Sequence, residues 1–226
     1  MDSGERHAVT EVEVREQVAS ERRDLAAVLQ GLPVTAWDSP TLCAGWRVRE
    51  VVAHMTMPFR YSGVRVLLEI LKARGSFNRA ADRSARRDAA ALSAEELTAC
   101  LNDNAEHPWT PPGGGPAGAL SHDVIHGLDI TVGLGLDRQI PADRLRTVLD
   151  GAGPKHVKYF GVDLDGVELH ATDMDWTFGS GEPLYGTGQD LLLVLCGRRL
   201  APGRLRGDAG YRFSGEPGQE TSSEPG

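Results

Sequence analysis

Ser121-His122-Asp123-Val124-Ile125-His126-Gly127-Leu128-Asp129 sets two histidines four residues apart in an apolar stretch. On a helix that spacing stacks both imidazoles on one face. A third histidine, His54, lies 68 residues upstream in Val51-Val52-Ala53-His54-Met55, a second apolar stretch of helical character. Three neutral imidazoles from two facing helices are a donor set for a divalent transition metal, and they leave coordination positions open to water or substrate. An open position separates a catalytic centre from a structural one. The competing reading is three ordinary helix histidines, and the spaced pair alone does not decide between them.

The segments around these histidines are periodic. Val14, Val18, Leu25, Val28, Leu29 and Leu32 follow the 3.6-residue period and predict a helix over 11–31, stopped by Gly31 and Pro33. A connection over 33–46 leads to a second helix from about Arg47 to Phe59, and Pro58 is expected to kink it or split it from 63–74. Ser93-Ala94-Glu95-Glu96 is a capping box opening a third helix over 93–106. Thr110-Pro111-Pro112-Gly113-Gly114-Gly115-Pro116 is loop, and behind it 117–134 forms the fourth helix, carrying His122 and His126. Four helices with two of them supplying ligands form a metal-binding bundle.

Beyond this the texture changes. Residues 141–149 read as a short helix, 167–171 and 175–179 alternate with period two as strands, and 191–195 form an apolar helical turn opened by Thr187 or Gln189. The fold class is therefore α+β: a four-helix bundle over 10–140, then a small α+β domain over 150–213, with a boundary near 140–155. Residues 214–226 hold no large apolar side chain and are expected to be a disordered tail.

Composition narrows the function. Of 226 residues, 40% are apolar and 25% charged, and the net charge of −8 with a pI near 5.4 argues against a nucleic-acid partner. One basic stretch, Lys72 to Arg87, contains Arg74, Arg79, Arg83, Arg86 and Arg87 and is interrupted by Asp82. It reads as a solvated loop or helix face, with an electropositive rim for an anionic substrate as the alternative. Cys43, Cys100 and Cys196 are odd in number and widely spaced, which fits reduced thiols in a cytoplasm. Residues 1–8 carry no apolar core of a signal peptide, and the run 191–196 is too short for a bilayer, so a cytoplasmic protein without a membrane partner is expected.

Three segments together resemble the mycothiol-dependent maleylpyruvate isomerase-like family of the DinB superfamily. They are Thr41-Leu42-Cys43-Ala44-Gly45-Trp46-Arg47-Val48-Arg49-Glu50-Val51-Val52-Ala53-His54, the stretch His122 to Asp129, and Leu169-His170-Ala171-Thr172-Asp173-Met174-Asp175-Trp176 with Leu191 to Arg198. The likeness spans roughly residues 15 to 210. It implies a DinB-like bundle with a small C-terminal domain. It also implies a divalent metal on His54, His122 and His126, usually zinc, with iron or nickel as alternatives. Mycothiol is the implied cofactor or co-substrate. One departure stands out: the isomerases resemble a His/Glu/His set, with glutamate at the place of His122. A third imidazole in place of that carboxylate raises the net charge of the loaded site from about +1 to about +2, which favours thiol activation over the isomerase reaction itself.

A thiol of pKa near 8.5 is mostly protonated at neutral pH, and coordination to a divalent metal deprotonates it. The thiolate then attacks an electrophilic carbon, giving isomerisation of an activated double bond or an S-conjugate. Glu50, one turn before His54, and Asp129, three residues after His126, are candidates to hold the histidines' other ring nitrogens; an exposed helix charge is the alternative for Glu50. Trp46 reads as packing the end of the bundle, with substrate stacking as the alternative. Arg198 and Arg199 read as surface charge, with contact to an anionic cofactor as the alternative. Cys43 reads as a small buried hydrophobe, Asp173 as bonded to its own turn, and His7, His107, His156 and His170 as structural. The expected partners are a small thiol and a small electrophile; monomer and homodimer both stay open. Two other functions also stay open: a metal-dependent enzyme of another reaction type, and a non-catalytic metal-binding stress-response or binding protein.

Overall fold

The computed structural model describes residues 9–215, so most of the expected tail, residues 216–226, lies outside the described residues. Ser214 and Gly215 belong to the fold: Ser214 bridges to Leu200, and its hydroxyl donates to the Gly210 carbonyl at 2.8 Å. The helical part comprises α1 (Glu11–Gln30), α2 (Val48–Arg60), α3 (Gly63–Lys72), α4 (Phe77–Ala91), α5 (Ala94–Asp103) and α6 (Gly115–Gly133). α1 packs on α5 and α6, and α2 packs on the same two helices. These four close the bundle ring. They are the four helices legible in the sequence.

Local chemistry sets their ends. Thr10 and Glu13 cap α1 reciprocally, and Ser93 with Glu96 caps α5 in the same way. Pro58 sits in the last turn of α2, which runs two residues further; the break from α3 comes at Tyr61 and Ser62. α5 stops at Asp103, short of the expected 106, and the carbonyls of Ala105 (3.2 Å) and His107 (2.9 Å) beyond it accept from Arg22. The basic stretch is the second half of a helical hairpin, α3–α4, with α4 packed on α2. Its alanines Ala80, Ala81, Ala85 and Ala89 face inward, while Arg79, Arg83, Arg86 and Arg87 face solvent.

The C-terminal part comprises α7 (Ala142–Gly151), α8 (Pro154–Tyr159), strands β1 (Val167–Ala171), β2 (Thr177–Gly179) and β3 (Glu182–Gly186), and α9 (Gly188–Leu195). The sheet order is β2-β1-β3, with β1 antiparallel to β2 and parallel to β3. β3 was not expected, since Pro183 breaks a strand pattern; as an edge strand it tolerates the missing N–H. Asp173 bonds not its own turn but the Gly188 N–H at the start of α9, at 2.8 Å.

Two apolar clusters fill the molecule. One lies inside the bundle around Leu25, Val51, Met55, Leu97 and Ile130. The other runs from Val14, Leu120, Val124 and Leu128 across to Leu145, Leu169, Leu184 and the buried α9. α6 supplies residues to both, which explains why its sequence is apolar around most of its circumference.

The 41–46 loop is clamped onto the end of α6. The Leu42 N–H donates to the Asp129 carbonyl at 3.0 Å, and the Thr41 hydroxyl and N–H both reach the Trp46 carbonyl. Gly133 permits this approach, since a Cβ there would lie 2.9 Å from Thr41 Cα. Gly133→Ala is expected to destabilise the protein by about 1–3 kcal/mol through this overpacking. Gly151→Ala, on open ground at the end of α7, should be neutral or slightly stabilising. Urea titrations of both variants check this, and equal midpoints would refute the clamp.

Candidate metal centre

α2 carries His54 and α6 carries His122 and His126, and the two helices bring the three rings to one point. Ring centroids are 5.2 Å apart for His54–His122, 5.0 Å for His54–His126 and 4.8 Å for His122–His126. One nitrogen from each ring lies within 4.8 Å of the other two, and Nε2 of His54 stands 3.3 Å from Nε2 of His122. Burial pushes the His54 imidazole well below its ordinary pKa of 6.5, and the neighbouring His126 and His122 push it further. Burial also lowers His126, against the pull of Asp129. Neutral imidazole is the form that donates to a metal.

Two carboxylates orient the rings on α6. Asp123 Oδ1 faces His122 Nδ1 at 2.9 Å, and Asp129 Oδ2 faces His126 Nδ1 at 3.1 Å. With protons on Nδ1, both Nε2 lone pairs point into the cluster. Each carboxylate is in turn braced by an arginine, Arg22 fully buried and Arg198 largely so. Arg22 Nε donates to Asp123 Oδ2 at 2.7 Å, and both partners are almost wholly inaccessible. Arg198 grips Asp129 with two N–H groups, at 2.9 and 2.7 Å. Burial would raise the Asp129 carboxyl, but Arg198 and the bonds it makes hold it well below the usual carboxylate range.

The structure redistributes the candidates. Arg198 is not a surface charge; it is a buried partner of Asp129, and burial, which would lower it, is outweighed by that carboxylate, which raises it. Glu50 is buried too, but it serves Arg47, accepting from the Arg47 backbone N–H at 2.9 Å and from its guanidinium. It leaves His54 Nδ1 buried with no hydrogen-bond partner among the described residues. Trp46 lies over the cluster, 5.1 Å from the His54 ring and 6.5 Å from that of His126, and its indole N–H donates to Asp82 at 2.8 Å.

Sequence reasoning missed Arg22, Asp123 and Trp109. Trp109 meets the His122 ring edge-on at 5.2 Å, on the loop that leads into α6. Asp123 was in plain view, but adjacent helix residues do not normally share a face. Cys43, His126 and Asp129 form a second set of close donor atoms. Asp129 is already committed to Arg198, and burial followed by the Asp129 charge pushes the Cys43 thiol up to about 12, so this set is the poorer one. Among the other histidines, His156 contacts Cys196 at 3.5 Å and His170 bonds Glu168 at 2.6 Å.

Two outcomes follow from this electrostatic arrangement. Asp129→Asn should cost about 3–5 kcal/mol, because it leaves the Arg198 charge buried without its partner; thermal and urea unfolding measure it, and a loss under 1 kcal/mol would contradict the buried pairing. Cys43 and Cys196, both held near pKa 12, stay protonated far above the ordinary thiol value of 9.0. In the native protein between pH 7 and 9 they should react with iodoacetamide far more slowly than after unfolding. Prompt labelling of Cys43 in the folded state, located by peptide mass, would overturn the thiol assignment.

Comparison with known proteins bears on the family and the fold. Residues 18–130 match the family model described as the mycothiol maleylpyruvate isomerase N-terminal domain. The fold resembles the crystal structure of the mycothiol-dependent maleylpyruvate isomerase, with a TM-score of 0.59, 13% identity, and coverage of 89% of this chain and 94% of that one. A histidine-to-alanine mutant of that enzyme matches with the same TM-score and coverage at 12% identity. At such identity the likeness is one of fold. No curated protein matches in sequence. The match over residues 18–130 covers half of the chain, which belongs to the mycothiol maleylpyruvate isomerase N-terminal domain family.

Proposed function

We propose that this chain is a metal-dependent enzyme that activates a low-molecular-weight thiol, mycothiol by family, for transfer to a small electrophile or for thiol-assisted isomerisation of one. The observation that carries the reading is the convergence of three imidazoles, two of them with their outer nitrogens on carboxylates. The donor set fits a borderline cation such as zinc, and iron or nickel by the same chemistry. His54, His122 and His126 are the proposed ligands. A cation held there lowers the pKa of a thiol beside it, so that thiolate persists at neutral pH.

The protein's own groups prepare the site. Asp123 and Asp129 fix the tautomer and aim of His122 and His126, and Arg22 and Arg198 hold those carboxylates in place through charge-assisted hydrogen bonds. Trp46 and Trp109 stand on two sides of the cluster and form apolar walls beside the rings. The three imidazoles add no negative charge, and the two carboxylate charges are offset by the two arginines. An incoming thiolate or a carboxylated electrophile therefore meets no uncompensated anion at the histidines. Cys43 and Cys196 do not compete as nucleophiles, since burial keeps both thiols protonated.

The test is metal analysis coupled to a conjugation assay. About one divalent metal per chain is expected, lost in His54→Ala, His122→Ala and His126→Ala while helical circular dichroism persists, because the bundle has an apolar core of its own. Turnover of maleyl-type and other electrophiles should require added mycothiol and survive the combined Cys43→Ser, Cys100→Ser, Cys196→Ser variant. Full metal content in the histidine variants would remove the ligand assignment. Turnover without any thiol, abolished in the cysteine-free variant, would make one of the protein's own cysteines the nucleophile.

A further inference from the structure

α3 turns Glu69 inward, between the half-buried Val66 and Ile70. The one buried residue of the helix is Glu69. Its carboxylate receives Lys72 at 3.2 Å, Arg83 at 3.5 Å and Arg87 at 3.4 Å. On the other side Val64, Leu67, Leu68 and Leu71 are 70%, 57%, 49% and 63% exposed, and Phe77 at the start of α4 is 53% exposed. The spacing i, i+3, i+4, i+7 is that of a helix packed on another helix, yet among the described residues nothing covers it. The ion cluster on Glu69 pins the helix in this orientation, so the stripe is held outward.

We propose that a second copy of this chain covers the stripe, α3 against α3 about a twofold axis. Leu67 and Leu68 then lie near the axis, and Val64 of one copy meets Leu71 of the other. Area supports this occupant: five side chains so exposed present on the order of 500 Å², large for a monomer surface. A twofold contact uses that patch twice and reaches the roughly 1,000 Å² that a specific interface requires. Charge supports it as well. Arg65 lies over the Tyr61 ring at 3.7 Å, Arg86 pairs with Asp82, and Lys72, Arg83 and Arg87 are drawn to Glu69. Apart from the exposed Arg74 beyond the end of α3, these flanking cations are committed to the protein's own groups, and the seam between them is apolar. An identical apolar seam matches it, whereas an anionic surface calls for cations turned outward.

Sedimentation velocity at tens of micromolar protein reads the answer independently of metal content and activity. The wild type should sediment at about twice the chain mass of 24.3 kDa. Leu67→Glu/Leu71→Glu should weaken self-association by about 100-fold or more and give a monomer with unchanged helical circular dichroism. Should that variant lose its helical signal, Leu67→Ser/Leu71→Ser gives the same reading with a milder change. A monomeric wild type, or a dimer that survives in a folded variant, overturns the proposal. A monomeric wild type that co-sediments with phosphatidylglycerol vesicles also overturns it and gives the stripe to a lipid surface.

Discussion

The carboxylate of Asp129 carries a full charge at a wholly buried position in the middle of the molecule, and Arg198 contributes most to making that tolerable, with His126 beside it. An isolated ion there would carry a desolvation penalty of several kcal/mol. The bidentate arginine offsets much of it with two charge-assisted bonds. One end of this pair belongs to α6 of the bundle and the other follows α9 in the C-terminal part. The same carboxylate faces the Nδ1 of His126, so the packing of one part of the chain sets the aim of a side chain in the other.

Arg22 repeats the device from the opposite side of α6. It comes from α1, bonds Asp123, and lies 4.9 Å over the Phe59 ring. Its Nη1 donates to the carbonyls that follow α5, of Ala105 and His107. A third buried carboxylate, Glu21 of α1, is shared by Arg138 and Arg144 at 2.9 and 3.0 Å and ties the bundle to α7. These ion pairs add directional contacts around an α6 that is otherwise held by non-directional apolar packing in two clusters. Misplacing α6 would leave charges unpaired, so the network penalises alternative packings of the ligand helix as much as it stabilises the observed one.

Much of the bundle was legible because its signals are local. Ser93 announces a helix start through a capping box, the apolar period of α1 marks its core face, and Gly31 with Pro33 announces its stop. The four-residue spacing of His122 and His126 places both rings on one face whatever α6 packs against. The α3–α4 hairpin was less legible. Its inward face is built mostly from small alanines and from Glu69, with Val66 and Ile70 only half-buried, so it does not register as a core stripe, while its leucines face outward. β3 escaped notice because an edge strand accepts Pro183. The roles of Glu50 and Arg198 were misjudged for a related reason: spacing puts Glu50 within reach of His54, but Arg47 is closer and charged.

The sequence by itself determined the start of α5 and the stop of α1, that His122 and His126 share one helix face, and that the last third of the chain mixes strand with helix. Each follows from backbone periodicity and capping, which act over a few residues. Only the tertiary structure decided which charge neutralises which, since Arg198 and Asp129 are 69 residues apart and Arg22 and Asp123 are 101 apart. Only it decided that α3 would expose its apolar side. A helix's two faces are written in its sequence, but which of them is covered depends on what the rest of the chain packs against it, and a buried charge fixes that choice more strictly than an apolar contact does.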